Sequence, residues 1–494
     1  MLKFYNTLAK RVVDFKPLKV GRVLMYSCGP TVYNYPHIGN LRRYVTDDIL
    51  HRVLVRRGFK VKRIENITDV GHLTQDDLDR GEDKMVVAAK REGKSPLAIA
   101  DHYTQAFLDD AAALNLLPPD SYTKATDHIV EMQELIKKLL DKKLAYESAG
   151  SVYFAVDKFS QYGKLSGNTL TQLKKQVRPE LNSEAFEQKI SPYDFALWIK
   201  AAPGHLLQWD SPWSRGYPGW HIECAAMIIK HLGESIDIHT GGEDNIFPHH
   251  EDEIAETEPV TGKPLAKYWL HTRHLFVDGK KMAKREGNFV RLRDVVAQDF
   301  NPLALRYLFL GAHFSAHLNF TWEALRAANE GWQRLQEVVA KLRENLQQNP
   351  TGRTNSGLVT KLEEITLRYD AALDDNLGTP QALAVLSDLI ALANSELDKK
   401  SPTADLQALL EKFLEFDQIL GLMPQKPDDF LPENELAQLA ELLRERAKAR
   451  ASQDFIRSDE LRGELAVLGF DIQDTDQGVR WIKKATGQRG LFKK

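Results

Sequence analysis

The sequence predicts an α/β chain in which a Rossmann-type parallel sheet is split by an insertion and followed by a helical bundle and a small C-terminal α/β module. Three observations predict it. Short apolar runs, Val23-Leu-Met-Tyr26 and Lys60 to Glu65, each give way to a polar loop and then to a helical pattern, as strands of a parallel sheet do. From Trp322 onward the periodicity turns helical. The 494 residues exceed one ordinary domain, so about three units are expected, with apolar content ample for sizeable cores.

A formal net charge of −3 neither demands nor excludes a polyanionic partner, so any surface for nucleic acid has to be local. No apolar run approaches membrane-spanning length, and Met1-Leu-Lys-Phe-Tyr5 lacks the charged and apolar zones of a signal peptide. A cytoplasmic chain with no membrane partner is the expectation. Cys28 and Cys224 are the only cysteines, which argues against a disulfide scaffold and leaves inert packing, one bridge or two thiolate ligands.

In chain order, the run to Tyr26 leads into Cys28-Gly-Pro-Thr-Val-Tyr-Asn-Tyr-Pro-His-Ile-Gly-Asn40 and then a helix to Arg57. Free N–H groups at such a helix start favour an anion, Gly39 lets the backbone come close, and His37 can donate to a phosphoryl oxygen. The second strand ends at Asn66-Ile-Thr-Asp69, on the edge where open α/β sheets take ligands. Asp76 to Leu117 reads as mostly helical, closing at Pro118-Pro119. Asp127 to Lys143 reads as an amphipathic helix, and Ser151 to Val156 as a strand. Phe159 to Gln208 has poor periodicity and reads as an insertion.

The sheet is expected to resume at Pro218-Gly-Trp-His-Ile-Glu-Cys224, with a helix to about Leu232 and then Ser235 to Asp244. Pro248 should open another helix, because proline is tolerated in a first turn and acidic residues follow. There His249 and Glu253 stand four apart on one face. With Cys28 and Cys224 they make a plausible zinc set; a solvated acidic helix start and two buried thiols are the alternative. Val277 to Asn288 is a basic, glycine-flanked loop in which Lys281 and Lys284 can neutralise a triphosphate, or simply face solvent. Helices are expected over Trp322 to Gln347, Gly357 to Leu373, Thr379 to Leu397 and Asp405 to Leu420. The tail carries a basic helix, Arg444 to Arg450, and a small α/β piece with Trp481, which suits phosphates and unstacked bases as well as an ordinary surface helix.

Taken together, Cys28 to Asn40, Asn66 to Asp69, Pro218 to Cys224, Phe247-Pro-His-His-Glu-Asp-Glu253, Lys281 to Asn288 and Asp474-Thr-Asp-Gln-Gly-Val-Arg-Trp481 resemble, in order and over essentially the whole chain, the cysteinyl-tRNA synthetases, class I aminoacyl-tRNA synthetases. The resemblance implies ATP-dependent activation of L-cysteine to cysteinyl-adenylate, with Mg2+ accompanying ATP, and transfer to tRNA(Cys). It implies a single zinc ion on Cys28, Cys224, His249 and Glu253 that selects the substrate thiol. Gly29, Thr31, Thr68, Trp220, His239 and Asp244 are then expected to line the cysteine and adenylate pocket. His37 and Asn40 belong to the first ATP signature, and Lys281 and Lys284 to the second.

It also implies a monomer with a nucleotide-binding first half over 1–125, an insertion over 126–208, a second half with zinc ligands over 209–275 and a signature-loop region over 276–321. A bundle over 322–425 and an anticodon-binding module over 426–494 complete the expected division. The chain departs from the family's usual pattern. Asn40 stands where His-Ile-Gly-His has its second histidine and cannot carry charge. Lys281-Met-Ala-Lys-Arg285 replaces Lys-Met-Ser-Lys-Ser, Arg43 replaces a threonine, and Val70-Gly-His72 differs from the common acidic run. Two other readings stand beside this one. Ligases that join cysteine to a sugar amine are similar but shorter, and the residues past Met423 argue against them; a non-catalytic tRNA- or cysteine-binding paralogue draws on the altered signatures.

Overall fold

The computed structural model describes every residue except 72, 76–79, 170–171, 173–187, 283–286, 347–353, 424–432, 453, 476–477, 484–488 and 494. Its centre is a five-stranded sheet of β1 (Arg22–Ser27), β2 (Lys60–Ile67), β3 (Ser121–Lys124), β4 (Ile236–Gly242) and β5 (Ala266–Thr272), ordered β5-β4-β1-β2-β3. Every neighbouring pair runs parallel. After β1 the chain moves outward to β2 and β3, then returns to the other side of β1 as β4. Such a reversal opens a crevice at the carboxyl ends of β1 and β4, where ligands of these sheets bind.

Between β3 and β4 lies a second, antiparallel sheet of Gly216–Pro218, Phe195–Lys200, Ser151–Phe154 and Ala145–Ser148. The expected insertion therefore has a folded core, and its sheet runs past residue 208 to Pro218. Much of the poorly periodic stretch, 170–171 and 173–187, lies outside the described residues. The segment read as a resumed strand, Pro218 to Cys224, runs into a helix from Trp220 to His231, with every residue from His221 to Ile228 buried. A short apolar run buried on all sides carries no period that separates strand from helix.

The stretch from Asp76 to Leu117 is mostly helical, as expected, in two helices preceded by a short hairpin. Strands Leu73–Gln75 and Arg80–Asp83 precede helices Lys84–Glu92 and Pro96–Ala113. The break between those helices is chemical: Ser95 accepts the Ala98 N–H at 3.2 Å, and Pro96 occupies the first turn.

The helix Ile38–Arg56 ties the parts together. At its start the His37 ring accepts the Asn40 N–H and the Asn40 amide accepts the His37 N–H, both at 3.2 Å, a reciprocal cap. In its first turns Arg42 is spread over four carbonyls, of Arg273, His274, His313 and Ala316, at 2.8–3.2 Å. At its far end Arg56 pairs with Asp370 and Glu415, and Arg57 with Asp374, at 2.6–2.8 Å. Those carboxylates belong to the helical region, whose helices Trp322–Asn345, Ser356–Asp374, Thr379–Asp398 and Thr403–Leu420 match the periodicity closely. One apolar core runs from the sheet through Ile38–Arg56 into this bundle; another lies under the insertion.

The C-terminal helices Glu433–Ala451 and Phe455–Val467 pack with three strands around a separate core of Leu443, Leu465, Phe470 and Trp481. Two arginines of the basic segment are turned inward onto this module. Arg446 makes a paired contact with both oxygens of Asp474, at 2.9 and 2.8 Å, and Arg450 reaches the same carboxylate. These hydrogen bonds hold the Asp474 carboxyl down at about 2. Less of the helix is therefore left to face phosphates than its composition implies. No helix among the described residues is long and apolar enough to cross a membrane.

Candidate active site and metal centre

The crevice at the head of β1 gathers side chains from distant places. Cys28 follows β1, Cys224 projects from Trp220–His231, and His249 stands just ahead of the helix Glu251–Thr261, which carries Glu253. One ligand atom from each of these four lies within 4.8 Å of every other, and all four residues are buried. His249 Nε2 is 2.9 Å from Glu253 Oε1; on its other side Nδ1 is 2.9 Å from His221 Nδ1, and His221 Nε2 is 3.2 Å from Asp252 Oδ2. The ring is thus held from behind, as metal-binding imidazoles usually are. Burial raises the Cys28 thiol, and the Cys28 hydrogen bond followed by burial raises that of Cys224. Burial opposes ionisation of Glu253, but His239 and His249 more than offset it and hold the carboxyl at about 2. Two thiols, an imidazole and an ionised carboxylate, gathered out of water, fit a borderline-soft, four-coordinate cation such as zinc.

Cys28, Cys224 and His249 form part of the wall of a cavity of about 280 Å³, together with Gly29, Thr31, Thr68 and Trp220. The indole of Trp220 stacks on His249 with 4.6 Å between ring centres. Thr68 is fixed by Asn66 Nδ2 at 2.9 Å and donates to Glu223 Oε2 at 3.2 Å, while the Gly29 N–H donates to Asn66 Oδ1 at 2.6 Å. Gly29 admits no side chain. A Cβ there would lie 1.5 Å from the Asn66 carbonyl oxygen. Gly29→Ala is accordingly expected to push the Cys28 loop off the end of β2, costing about 1–3 kcal/mol and lowering substrate affinity. Wild-type melting together with unchanged ligand binding would show that the loop runs elsewhere.

A second cavity of about 180 Å³ adjoins the first and is lined by Gly39, Gly242, Asp244, His274 and Lys281. Lys281 sits on a hairpin, Leu275–Val277 with Lys280–Lys281, whose turn residues Asp278 and Gly279 both have positive φ, as a two-residue Asp-Gly turn requires. Its Nζ is 2.9 Å from Asp244 Oδ1. His37 and Asn40 line both cavities. Lys284 lies within 283–286, outside the described residues. His239, expected at the pocket wall, is fully buried and borders neither cavity: its Nε2 is 2.6 Å from Glu253 Oε2 and its ring stacks on Trp269. It supports the carboxylate from below.

Sequence reasoning missed His221, His250 and His271. Thr7 Oγ1, His271 and His250 form a chain of contacts at 2.7 and 2.8 Å that reaches Cys28 Sγ at 3.2 Å. Cys28 and Glu253 also belong to a second compact donor set with His239 and His250. The only sequence signal was adjacency, since His221 and His250 each follow a residue already singled out; contacts over 222 residues of separation leave no spacing to read.

Residues 14–330 match the family described as tRNA synthetases class I (C) catalytic domain, 368–424 the DALR domain, and 436–481 the cysteinyl-tRNA ligase anticodon binding domain. The cysteine–tRNA ligase of Thermus thermophilus is 43% identical over 486 residues, covering 97% of this chain and 99% of that one. That of Chlorobaculum tepidum is 41% identical over 498 residues, covering 98% and 99%. In fold, the chain is similar to Mycobacterium tuberculosis methionyl-tRNA synthetase in complex with methionyl-adenylate, with a TM-score of 0.56 at 16% identity over 82% of this chain and 92% of that one. With its catalytic region and both downstream modules matched in order, the chain belongs to the cysteine–tRNA ligase family of class I aminoacyl-tRNA synthetases.

Proposed function

We propose that the chain activates L-cysteine with ATP to cysteinyl-adenylate and transfers the cysteinyl group to the 3′ end of tRNA(Cys). The observation that carries this reading is the adjacency of the two cavities, one walled by three of the four zinc-type donors and the other by His37 and Lys281. Cysteine lies in the first, with Trp220 as a flat wall and Gly29, Thr31 and Thr68 around it; ATP with Mg2+ lies across the second. Zinc held by Cys28, Cys224, His249 and Glu253 would offer a coordination position suited to a thiolate, a sharper test against serine than pocket shape, which separates near-isosteres by only about a hundredfold.

The chain's own residues do the rest by position and charge. Because the His37 Nδ1 accepts the Asn40 N–H, the neutral ring carries its proton on Nε2, and it is that N–H that donates to a phosphate oxygen. The substrate carboxylate attacks the α-phosphorus, and pyrophosphate leaves with the bonding pair. Lys281 and Lys284 neutralise the charge that gathers on it. Asn40 keeps a donor but adds no charge. Asp244 holds Lys281 at the cavity edge until ATP competes for it.

The division proposed for the chain is a nucleotide-binding unit of 1–125 and 209–275 around an insertion of 126–208, then 276–321 for the signature loop, the bundle of 322–425 and an anticodon-binding module of 426–494. A monomeric, cytoplasmic enzyme is the setting proposed. Cysteine-dependent exchange of pyrophosphate into ATP, followed by charging of tRNA(Cys), tests the reading. Zinc-loaded protein that binds this tRNA tightly yet shows no exchange would overturn it in favour of a non-catalytic tRNA-binding role.

A further inference from the structure

The two cavities share four wall residues, His37, Asn40, Arg43 and Asn245. They form the neck through which one cavity opens on the other. Of the four, only Arg43 carries a positive charge that no change of pH in the working range removes. Its residue is 7% exposed, so that charge is held in a poorly solvated place.

The guanidinium is fixed on two sides. Arg43 NH1 lies 2.9 Å from Asp47 Oδ2, one turn along the same helix, and the guanidinium carbon stands 3.9 Å from the centre of the Tyr44 ring. Its Cδ lies 4.0 Å from where a Cβ on Gly242 would project, so the side chain leans on the end of β4. Burial works against the charge, but Tyr44, Asp47 and Glu65 around it keep the guanidinium pKa above its ordinary value. Glu65 is a weak competitor for it, since burial pushes that carboxyl up to about 7. A guanidinium has five N–H donors in a rigid fork, more than Asp47 and Tyr44 take. The residue itself lines both cavities.

The reaction proposed above brings two anions to that neck: the carboxylate of cysteine arriving from one cavity and the α-phosphate of ATP from the other. We propose that Arg43 binds the non-bridging oxygens of the α-phosphate where the carboxylate attacks, supplying the fixed charge that Asn40 cannot. The carboxylate oxygen forms its bond to phosphorus, the bond to the pyrophosphate oxygen breaks, and pyrophosphate leaves with the electron pair. Arg43 only donates hydrogen bonds and gives up no proton. Because the charge on the phosphoryl oxygens is best met as the new bond forms, its loss acts on turnover more than on substrate affinity.

This assignment rests on the proposed adenylate chemistry, and the test separates the two. Removing Arg43 alone would strand a buried Asp47, so the informative variant is Arg43→Met with Asp47→Asn, measured against Asp47→Asn. Bound zinc and melting temperature report folding. Cysteine-dependent pyrophosphate exchange is expected to lose kcat by about a hundredfold or more, with KM for cysteine and for ATP within about threefold. Arg43→Lys, which keeps the buried charge but loses the fork, should lose about tenfold, and guanidinium ion added to Arg43→Ala/Asp47→Asn should restore part of the rate. A folded double variant with kcat within threefold of Asp47→Asn, or a loss confined to KM, would overturn the role of Arg43 while leaving the ligase reading standing. Absence of exchange in the unaltered protein would overturn both.

Discussion

Replacing Cys224 with alanine is expected to strip most of the zinc from the purified protein and to lower kcat/KM for cysteine-dependent pyrophosphate exchange by at least about a thousandfold. Cys224 is one of four donors in a buried set, and removing a mere hydrogen-bond partner of a metal ligand already costs about 10–100-fold in affinity or activity. The change is otherwise mild for the fold. Cys224 is packed among Ala225, Met227 and Ile228, so trimming its sulfur removes little apolar contact, and the melting temperature should fall by only a few degrees. Elemental analysis and exchange kinetics measured on the same preparation decide it. Full zinc in a variant with intact activity would show that the metal sits on other donors, of which Cys28, His239, His250 and Glu253 are the alternative group.

Arg306→Met is expected to be the most damaging single change away from the cavities, costing about 3–5 kcal/mol of stability. Arg306 is fully buried, donates to Asp48 Oδ2 at 2.6 Å, and also binds the carbonyls of Leu420, Leu114 and Asn115 at 2.6–3.2 Å. Asp48 takes Arg52 Nε at 2.8 Å and the Leu117 N–H at 2.9 Å as well. Removing Arg306 leaves a buried carboxylate half-paired and takes a donor from the carbonyls of Leu420 and Leu114, while that of Asn115 keeps Arg52, at the place where the Ile38–Arg56 helix meets the bundle. Burial alone would raise the Asp48 carboxyl, but Arg306 and Arg52 pull it below the ordinary carboxylate range. A carboxyl depressed in the folded state stabilises above its unfolded pKa of about 3.9 and loses that contribution as pH falls through the folded value. The Met variant should therefore show a lower urea midpoint at pH 7 and a weaker dependence of that midpoint on acid. An unchanged midpoint at pH 7 would mean that the bundle and the sheet are not joined through this pair.

What the sequence made legible, and what it hid, divides along a physical line. Strands β1, β2 and β4, the helical bundle and the loop from Cys28 to Asn40 show through because each is a local pattern, an apolar run, a helical period, a glycine and a cap at a helix start, whereas β3 and β5 were not read. His249 and Glu253 were placed on one face by spacing alone. Trp220 to Cys224 was misread as strand because a run buried on all sides has no polar face to set its period; in the insertion's sheet Ser151 to Val156 was read as a strand, but Phe195 to Lys200 was missed, its Phe195 to Trp198 being wholly buried. Charge hid the rest. Arg80–Asp83 pairs as a strand despite carrying three charged residues, and Asp48 with Arg306 makes a core contact across 258 residues that hydropathy would assign to the surface. The convergence of Cys28, Cys224, His249 and Glu253 needed the whole fold, and the resemblance over the full chain carried it before any distance was known.

The central claim is that a substrate thiol is recognised at these four donors. Cobalt substituted for zinc tests it most directly, because a thiolate bound to cobalt adds a sulfur-to-metal charge-transfer band in the near ultraviolet. The account predicts that L-cysteine intensifies and shifts this band at saturating concentration, that L-serine leaves it unchanged, and that the band of the free protein is diminished in Cys224→Ala. A cobalt spectrum indifferent to cysteine in protein that still forms cysteinyl-adenylate would contradict it, placing thiol recognition elsewhere in the cavity.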